Sequence, residues 1–186
     1  MRKALIILAV TAGILTIMAI SLGMGFIGFQ NTCKDFEIQI EAQYTDNQNV
    51  YDNGYKEVLE KSEVPEMYTD QLKELYSQVM SGRYGEEGSK ALFQFIQEQN
   101  PTLDAEIFRQ IQQSIETFRR RFTQAQRELV AKKQAYQQYY AATTSGRFYN
   151  MLGGYPKADM ARYDIVTSGR TEETFSTKKD EPLKLR

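Results

Sequence analysis

The stretch "FRRRFTQAQRELVAKKQAYQQYY", Phe118–Tyr140, keeps an apolar or small residue on a beat of four, three, four, three, and fills the intervals with charge and amide. Followed in both directions, the stripe runs Ile111, Ile115, Phe118, Phe122, Ala125, Leu129, Lys132, Tyr136 and Tyr139. Its mean spacing of about 3.5 residues is the period of a left-handed coiled-coil seam. Pro101 opens the segment, Asp104 and Glu106 fall in its first turn, and Lys132 and Lys133 lie towards its end. That polarity matches the helix dipole. From Asp104 to Ala142 the spacing predicts one helix of about 39 residues, roughly 58 Å long. A helix of this kind cannot bury its stripe alone, so it requires a partner.

The chain offers one. Cys33, Glu37, Ile40, Tyr44, Asn47, Tyr51, Gly54 and Val58 repeat the same beat, with Phe36 and Tyr55 widening the stripe. Asn53-Gly54 is a strong turn signal inside it, so a continuous helix with a local irregularity at Gly54 is expected. Pro65 then marks an entry, and Tyr68, Leu72, Leu75, Tyr76 and Val79 make a second amphipathic helix. Ser81-Gly82 and Gly85–Gly88 read as a glycine-rich loop. "SKALFQFIQEQN" is a short third helix beginning after Ser89 and stopping at Asn100-Pro101. Short connections between helices of equal period predict an antiparallel bundle.

The N-terminus has a different character. No residue from Ala4 to Phe29 is charged, and only Thr11, Thr16 and Ser21 are polar. About 26 such residues make a helix of roughly 39 Å, enough to cross a hydrocarbon core of about 30 Å with some tilt. The run is longer than the core of a signal peptide and continues through Phe26, Ile27 and Phe29, so it reads as an uncleaved anchor rather than a leader. Asn31-Thr32 stand before Cys33 where a lipoprotein site needs small residues. Arg2 and Lys3 precede the run, whereas Asp35, Glu37, Glu41 and Asp46 outnumber Lys34 after it. The positive-inside rule then predicts a cytoplasmic N-terminus and a C-terminal domain outside the cytoplasm. With three residues before Ala4, little is expected inside that could act as a signalling output, which disfavours a signalling role.

Composition narrows the chemistry. The chain has 186 residues and a formal charge of −1, which predicts no large basic surface for nucleic acid. It contains no histidine, and so lacks the commonest general base and the commonest metal ligand. Cys33, the single cysteine, has no internal partner and reads as a small apolar residue of the stripe, with an intermolecular disulfide or acylation as the alternative. "DNQNVYDNG" (Asp46–Gly54) looks superficially like a calcium loop, but Val50 holds its fifth position and no glycine follows. Asn47 and Gln48 read instead as a polar layer or a solvated turn. Glu86-Glu87 and Glu60-Glu63 are surface pairs. The expectation is a non-enzyme with no cofactor and no metal.

After Gly146, "GRFYNMLGGYP" is aromatic and glycine-rich and suits a cap at one end of the bundle. In "RYDIVTSGRTEETF", Tyr163, Ile165 and Thr167 alternate with Asp164, Val166 and Ser168, which predicts a short strand or small hairpin. "STKKDEPLKLR" reads as a solvated tail. The expected organisation is an anchor over residues 1–30, a helical bundle over 31–156 and a C-terminal extension over 157–186.

Several segments together resemble the LemA family of membrane-anchored helical proteins: "IEAQYTDNQNVYDNGYKEV", "QEQNPTLD", "IQQSIETFRRRFTQAQREL" and "FYNMLGGYPK". Tyr51-Asp52, Asn100-Pro101-Thr102-Leu103 and Arg119-Arg120-Arg121-Phe122 match that family's pattern, while "TDNQNV" replaces its basic cluster and Gly54-Tyr55 its proline-asparagine step. The resemblance implies an envelope-facing helical domain on one membrane helix, without a settled enzymatic activity. On this reading the chain is expected to act as an envelope scaffold or adaptor. The alternatives are a regulatory or inhibitory accessory subunit of a membrane enzyme or protease, and a signalling stalk. The bilayer is contacted through residues 4–29, the remaining partner is a membrane or envelope protein, and the bundle is expected to be monomeric by itself. Two clusters are candidates for partner binding. Arg119, Arg120 and Arg121 are either a solvated face, with Glu116 paired to Arg120, or a docking site for an acidic partner or a lipid head group. Phe148 and Tyr149 either cap the core or form an exposed aromatic tip.

Overall fold

The computed structural model describes residues 2–81, 85–166 and 176–177. It is mainly helical, with helices α1 (Arg2–Ser62), α2 (Thr69–Met80), α3 (Gly85–Gln99), α4 (Ala105–Gln137) and α5 (Thr144–Gly153). A 3₁₀ turn, Glu66–Tyr68, leads into α2, a π-helical turn, Gln138–Ala142, extends α4, and a second 3₁₀ turn covers Met160–Tyr163. The chain divides into two compact units, Met1–Glu41 with Ala131–Tyr163 and Ala42–Val130 with Asp164–Arg186.

In the second unit, the core comprises Val58 and Val64, then Leu72, Tyr76, Val79 and Met80 of α2, Leu92 and Ile96 of α3, and Ile111, Ile115, Phe118 and Phe122 of α4. Each helix contributes the apolar positions that recur at three and four, because only those share a face. The ring of Tyr51 meets Phe122 at 5.6 Å between centroids and Tyr76 at 5.4 Å. Further along, Ser114 donates to Glu57 Oε1 over 2.6 Å, and Asn100 Nδ2 donates to the Ser62 carbonyl over 3.3 Å. Ascending numbers on α1 therefore meet descending numbers on the partner side.

Gly54 corrects one part of an expectation: the continuous helix forms, but the local irregularity does not. The helix passes through Asn53-Gly54 without interruption. The glycine is buried, and a Cβ placed on it would run into the Tyr76 hydroxyl and come within 2.8 Å of Phe118 Cγ. Its small size, rather than its turn-forming freedom, is what the position uses. The α3 start is also earlier than expected, at Gly85 rather than after Ser89. Glycine in a helix costs about 1 kcal/mol, which the buried Leu92 and Ile96 downstream outweigh.

In the first unit, Phe29, Cys33, Ile40, Tyr136, Tyr155 and Tyr163 are buried. Phe29 stacks on Tyr139 at 5.6 Å, and Phe36 stacks on Tyr136 at 5.5 Å. The α4 backbone loosens into the π-turn and ends at Thr143, whose hydroxyl oxygen accepts from the Gly146 N–H over 3.0 Å and so starts α5. Gly154, at φ 61°, closes α5 in the left-handed conformation that favours glycine.

The expected C-terminal strand does not form among the described residues. Arg162 and Tyr163 lie in the 3₁₀ turn, and Asp164–Val166 have no regular structure. The turn is started by Asp159, whose carboxylate accepts from the Ala161 N–H over 3.0 Å, a local bond that favours a turn at the place where the strand was to begin. The rest of that segment, including Thr167 and Ser168, lies outside the described residues, as does most of the expected tail.

Candidate functional site

On α4, residues 116, 119, 120, 123 and 127 follow helical spacing and fall on the face away from the buried seam. Glu116, Arg119, Arg120, Thr123 and Arg127, together with Ser89 of α3, line an open groove of about 610 Å³. Arg120 and Arg127 are exposed and Arg119 is half-buried. Among the described residues no ion pair joins Glu116 to Arg120, contrary to expectation. The groove thus gathers three guanidinium groups and one carboxylate. Guanidinium forks suit bidentate binding of carboxylates and phosphates.

The arginine triplet does not stay together. Arg121 turns the other way and rests its guanidinium 5.8 Å from the centroid of the Phe118 ring. It also contributes, as the smallest influence, to holding the Glu57 carboxyl below the usual carboxylate range. The Lys61 ammonium, donating over 2.7 Å, is the main cause, and the Ser114 hydroxyl is the next. Arg127, by contrast, joins the groove although nothing in the "RRR" motif pointed to it. Its register, seven and eight residues after Arg120 and Arg119, is the signal that was available.

The aromatic tip also separates. Phe148 is exposed, whereas Tyr149 packs on Phe26 and Phe29 of α1 at 6.3 and 5.9 Å.

Two further features had no assigned role in the sequence. Glu37, a single carboxylate on the α1 seam, accepts through Oε1 from the Tyr136 hydroxyl (2.7 Å) and from the backbone N–H groups of Lys157 (2.6 Å) and Ala158 (3.2 Å). Beside it, burial pushes the Cys33 thiol up to about 11, assisted by the Glu37 charge and opposed by a hydrogen bond with Tyr136. A thiol of that kind stays protonated and unreactive near neutral pH. In the other unit, a cavity of about 300 Å³ is lined by Tyr44, Asn47, Gln48, Tyr51, Ser77 and Phe122, among others, and is mostly apolar. Asn47 is buried; with its amide oriented to satisfy its neighbours, it donates to the carbonyls of Gln43 (3.0 Å) and Ala125 (3.1 Å).

Among the described residues no three histidine, cysteine, aspartate or glutamate side chains gather as a metal site. Compared with known proteins, the chain matches no family model, no curated protein and no solved structure.

Proposed function

We propose that the chain is a non-enzymatic, single-pass membrane protein of LemA type, whose helical domain serves as an envelope scaffold or adaptor. The arginine groove of α4 is the docking surface, and its partner is a membrane or envelope protein presenting carboxylates. The observation that carries this reading is the convergence of Arg119, Arg120 and Arg127 of α4 on one open groove. Three guanidinium groups held in register favour a multivalent acidic surface over a single small anion.

The wider architecture of the proposal is an antiparallel bundle on one membrane anchor. Support for the bundle comes from the descending order of α4 partners met by ascending α1 residues, Tyr51 with Phe122 and Glu57 with Ser114. Support for the anchor comes from the N-terminal part of α1, which is long and apolar enough to cross a membrane and whose most apolar 18-residue stretch is wholly exposed. Arg2 and Lys3 before it and the acidic residues after it favour a cytoplasmic N-terminus. The seam supplies its own partner, so the domain is monomeric.

A photo-crosslinking residue in place of Thr123, which lines the groove, tests the docking surface in intact membranes. An adduct that disappears when Arg119, Arg120 and Arg127 are together replaced by Glu supports it. The same probe in place of exposed Gln113 is the control. Equal labelling at both positions overturns the groove as the docking surface. Protease added to sealed spheroplasts tests the topology: digestion of the chain beyond residue 31 is expected, and full protection overturns it.

A further inference from the structure

Helix α5 carries an apolar face that nothing in its own unit covers. Phe148, Met151 and Leu152, at i, i+3 and i+4, are 51%, 86% and 71% exposed. Burying side chains of this size is worth about 1.5–3 kcal/mol each, so a helix that keeps three of them outward has an apolar medium to face. The opposite side of α5 shows which medium. Tyr149 packs on Phe26 and Phe29, and a Cβ on Gly25 would meet its hydroxyl. α5 therefore lies along the C-terminal end of the uncharged α1 run, where Met24 and Ile27 are themselves 63% and 59% exposed.

The polar groups around α5 are arranged as a membrane boundary requires. Thr143, Thr144 and Ser145 stand at its start, Arg147 is exposed, and from Thr144 to Ala158 the chain carries Arg147 and Lys157 but no acid. Phe29, Tyr139, Tyr149 and Tyr155 ring the same level, the position of the aromatic belt on membrane proteins.

We infer that α5 is an interfacial helix, lying in the outer boundary of the bilayer beside the anchor, with Phe148, Met151 and Leu152 inserted among the acyl chains. The apolar face enters about 5–10 Å, as in other in-plane helices, while Arg147 stays among the headgroups. This inference rests on the anchor reading above. The seating of α5, through Tyr149, on Gly25, Phe26 and Phe29 at the end of the uncharged α1 run favours lipid over a protein partner or a second copy.

The test uses the full chain in vesicles of phosphatidylcholine and phosphatidylglycerol, with nitroxide lipids as depth quenchers. An environment-sensitive dye is placed singly through Leu15→Cys, Met151→Cys or Gln113→Cys in a Cys33→Ala background. Should that background misfold, Cys33 is retained, since its buried thiol resists labelling. A blue-shifted Met151 label, quenched more by headgroup-proximal than by mid-chain nitroxide, supports the inference when the Leu15 label is quenched most at mid-chain and the Gln113 label is not quenched. A quenched Leu15 label beside a water-exposed Met151 label overturns the inference and leaves the anchor standing. Failure at both positions overturns the anchor with it. Protection of Met151 that vanishes when the protein is diluted in excess lipid overturns lipid contact in favour of self-association.

Discussion

Tyr136 donates its hydroxyl to Glu37 Oε1 over 2.7 Å, and that one oxygen also accepts the backbone N–H groups of Lys157 and Ala158. A single carboxylate on the α1 seam thus ties the end of α4 and the segment after α5 to one point. Burial, followed by this bond, drives the Tyr136 phenol well above its ordinary range. Hydrogen bonds to charged groups contribute about 1.5–3 kcal/mol each. Glu37→Ala, which leaves three donors without their acceptor, is expected to lower stability more than Tyr136→Phe, with Glu37→Gln the mildest. Thermal unfolding of the full chain in detergent micelles, followed by circular dichroism, gives the order. An unchanged midpoint for Glu37→Ala would deny the carboxylate its central role.

Gly54 and Gly13 make opposite predictions for the same substitution. Alanine is favoured over glycine in a helix by about 1 kcal/mol. At Gly13 nothing lies within 4 Å of the added methyl, so Gly13→Ala is neutral to slightly stabilising. At Gly54 the methyl collides with Tyr76 and Phe118, and overpacking of this sort costs about 1–3 kcal/mol. Gly54→Ala should therefore destabilise in the same thermal assay. A stabilised Gly54→Ala protein would mean that α1, α2 and α4 do not meet there.

Phe122 and Arg120 sit two residues apart on α4 and face opposite ways. Phe122 is 3% exposed, and truncating a buried phenylalanine costs about 3–5 kcal/mol. Arg120→Ala is a surface change, expected to stay within about 0.5 kcal/mol while weakening any complex made through the groove. Equal, small losses would take the seam out of the core.

The Cys33 thiol makes a prediction about pH. Its native value, about 11, lies above the ordinary 9.0, so folding favours the neutral form. The stability this group contributes is complete below pH 9 and is lost as pH rises towards and through 11. Near neutral pH a maleimide should label Cys33 only after denaturation. Rapid labelling of the native chain would show the site to be open.

The seams were legible because a heptad beat sustained over many turns leaves one answer, and every seam position from Ile111 to Leu129 is buried. The continuous helix through Gly54 was legible, but the irregularity expected there was not borne out, because asparagine-glycine spells a turn only in local code, whereas the position is set by a tyrosine and a phenylalanine from two other helices. The groove was half-legible. Arg119 and Arg120 were adjacent in the text, but Arg121 left and Arg127 entered by helical phase. Glu37 stood in the seam without a purpose, because its partners lie about a hundred residues away. The placement of Tyr149 on Phe26 was out of reach for the same reason. Local patterns predict elements, whereas such distant pairings are decided by packing.

A seam that repeats every seven residues has a weakness that its regularity conceals: two such helices fit nearly as well after sliding one repeat past each other. Asn47 removes the ambiguity. Its amide reaches the carbonyl of Ala125, and a slip of one repeat would set it against Phe118 or Lys132 instead. The first leaves an amide stranded against a ring, and the second sets it against a half-buried lysine, which would lose water without gaining a partner. One polar side chain thus acts as the index mark on a ruler, giving an otherwise periodic pair of helices a single zero.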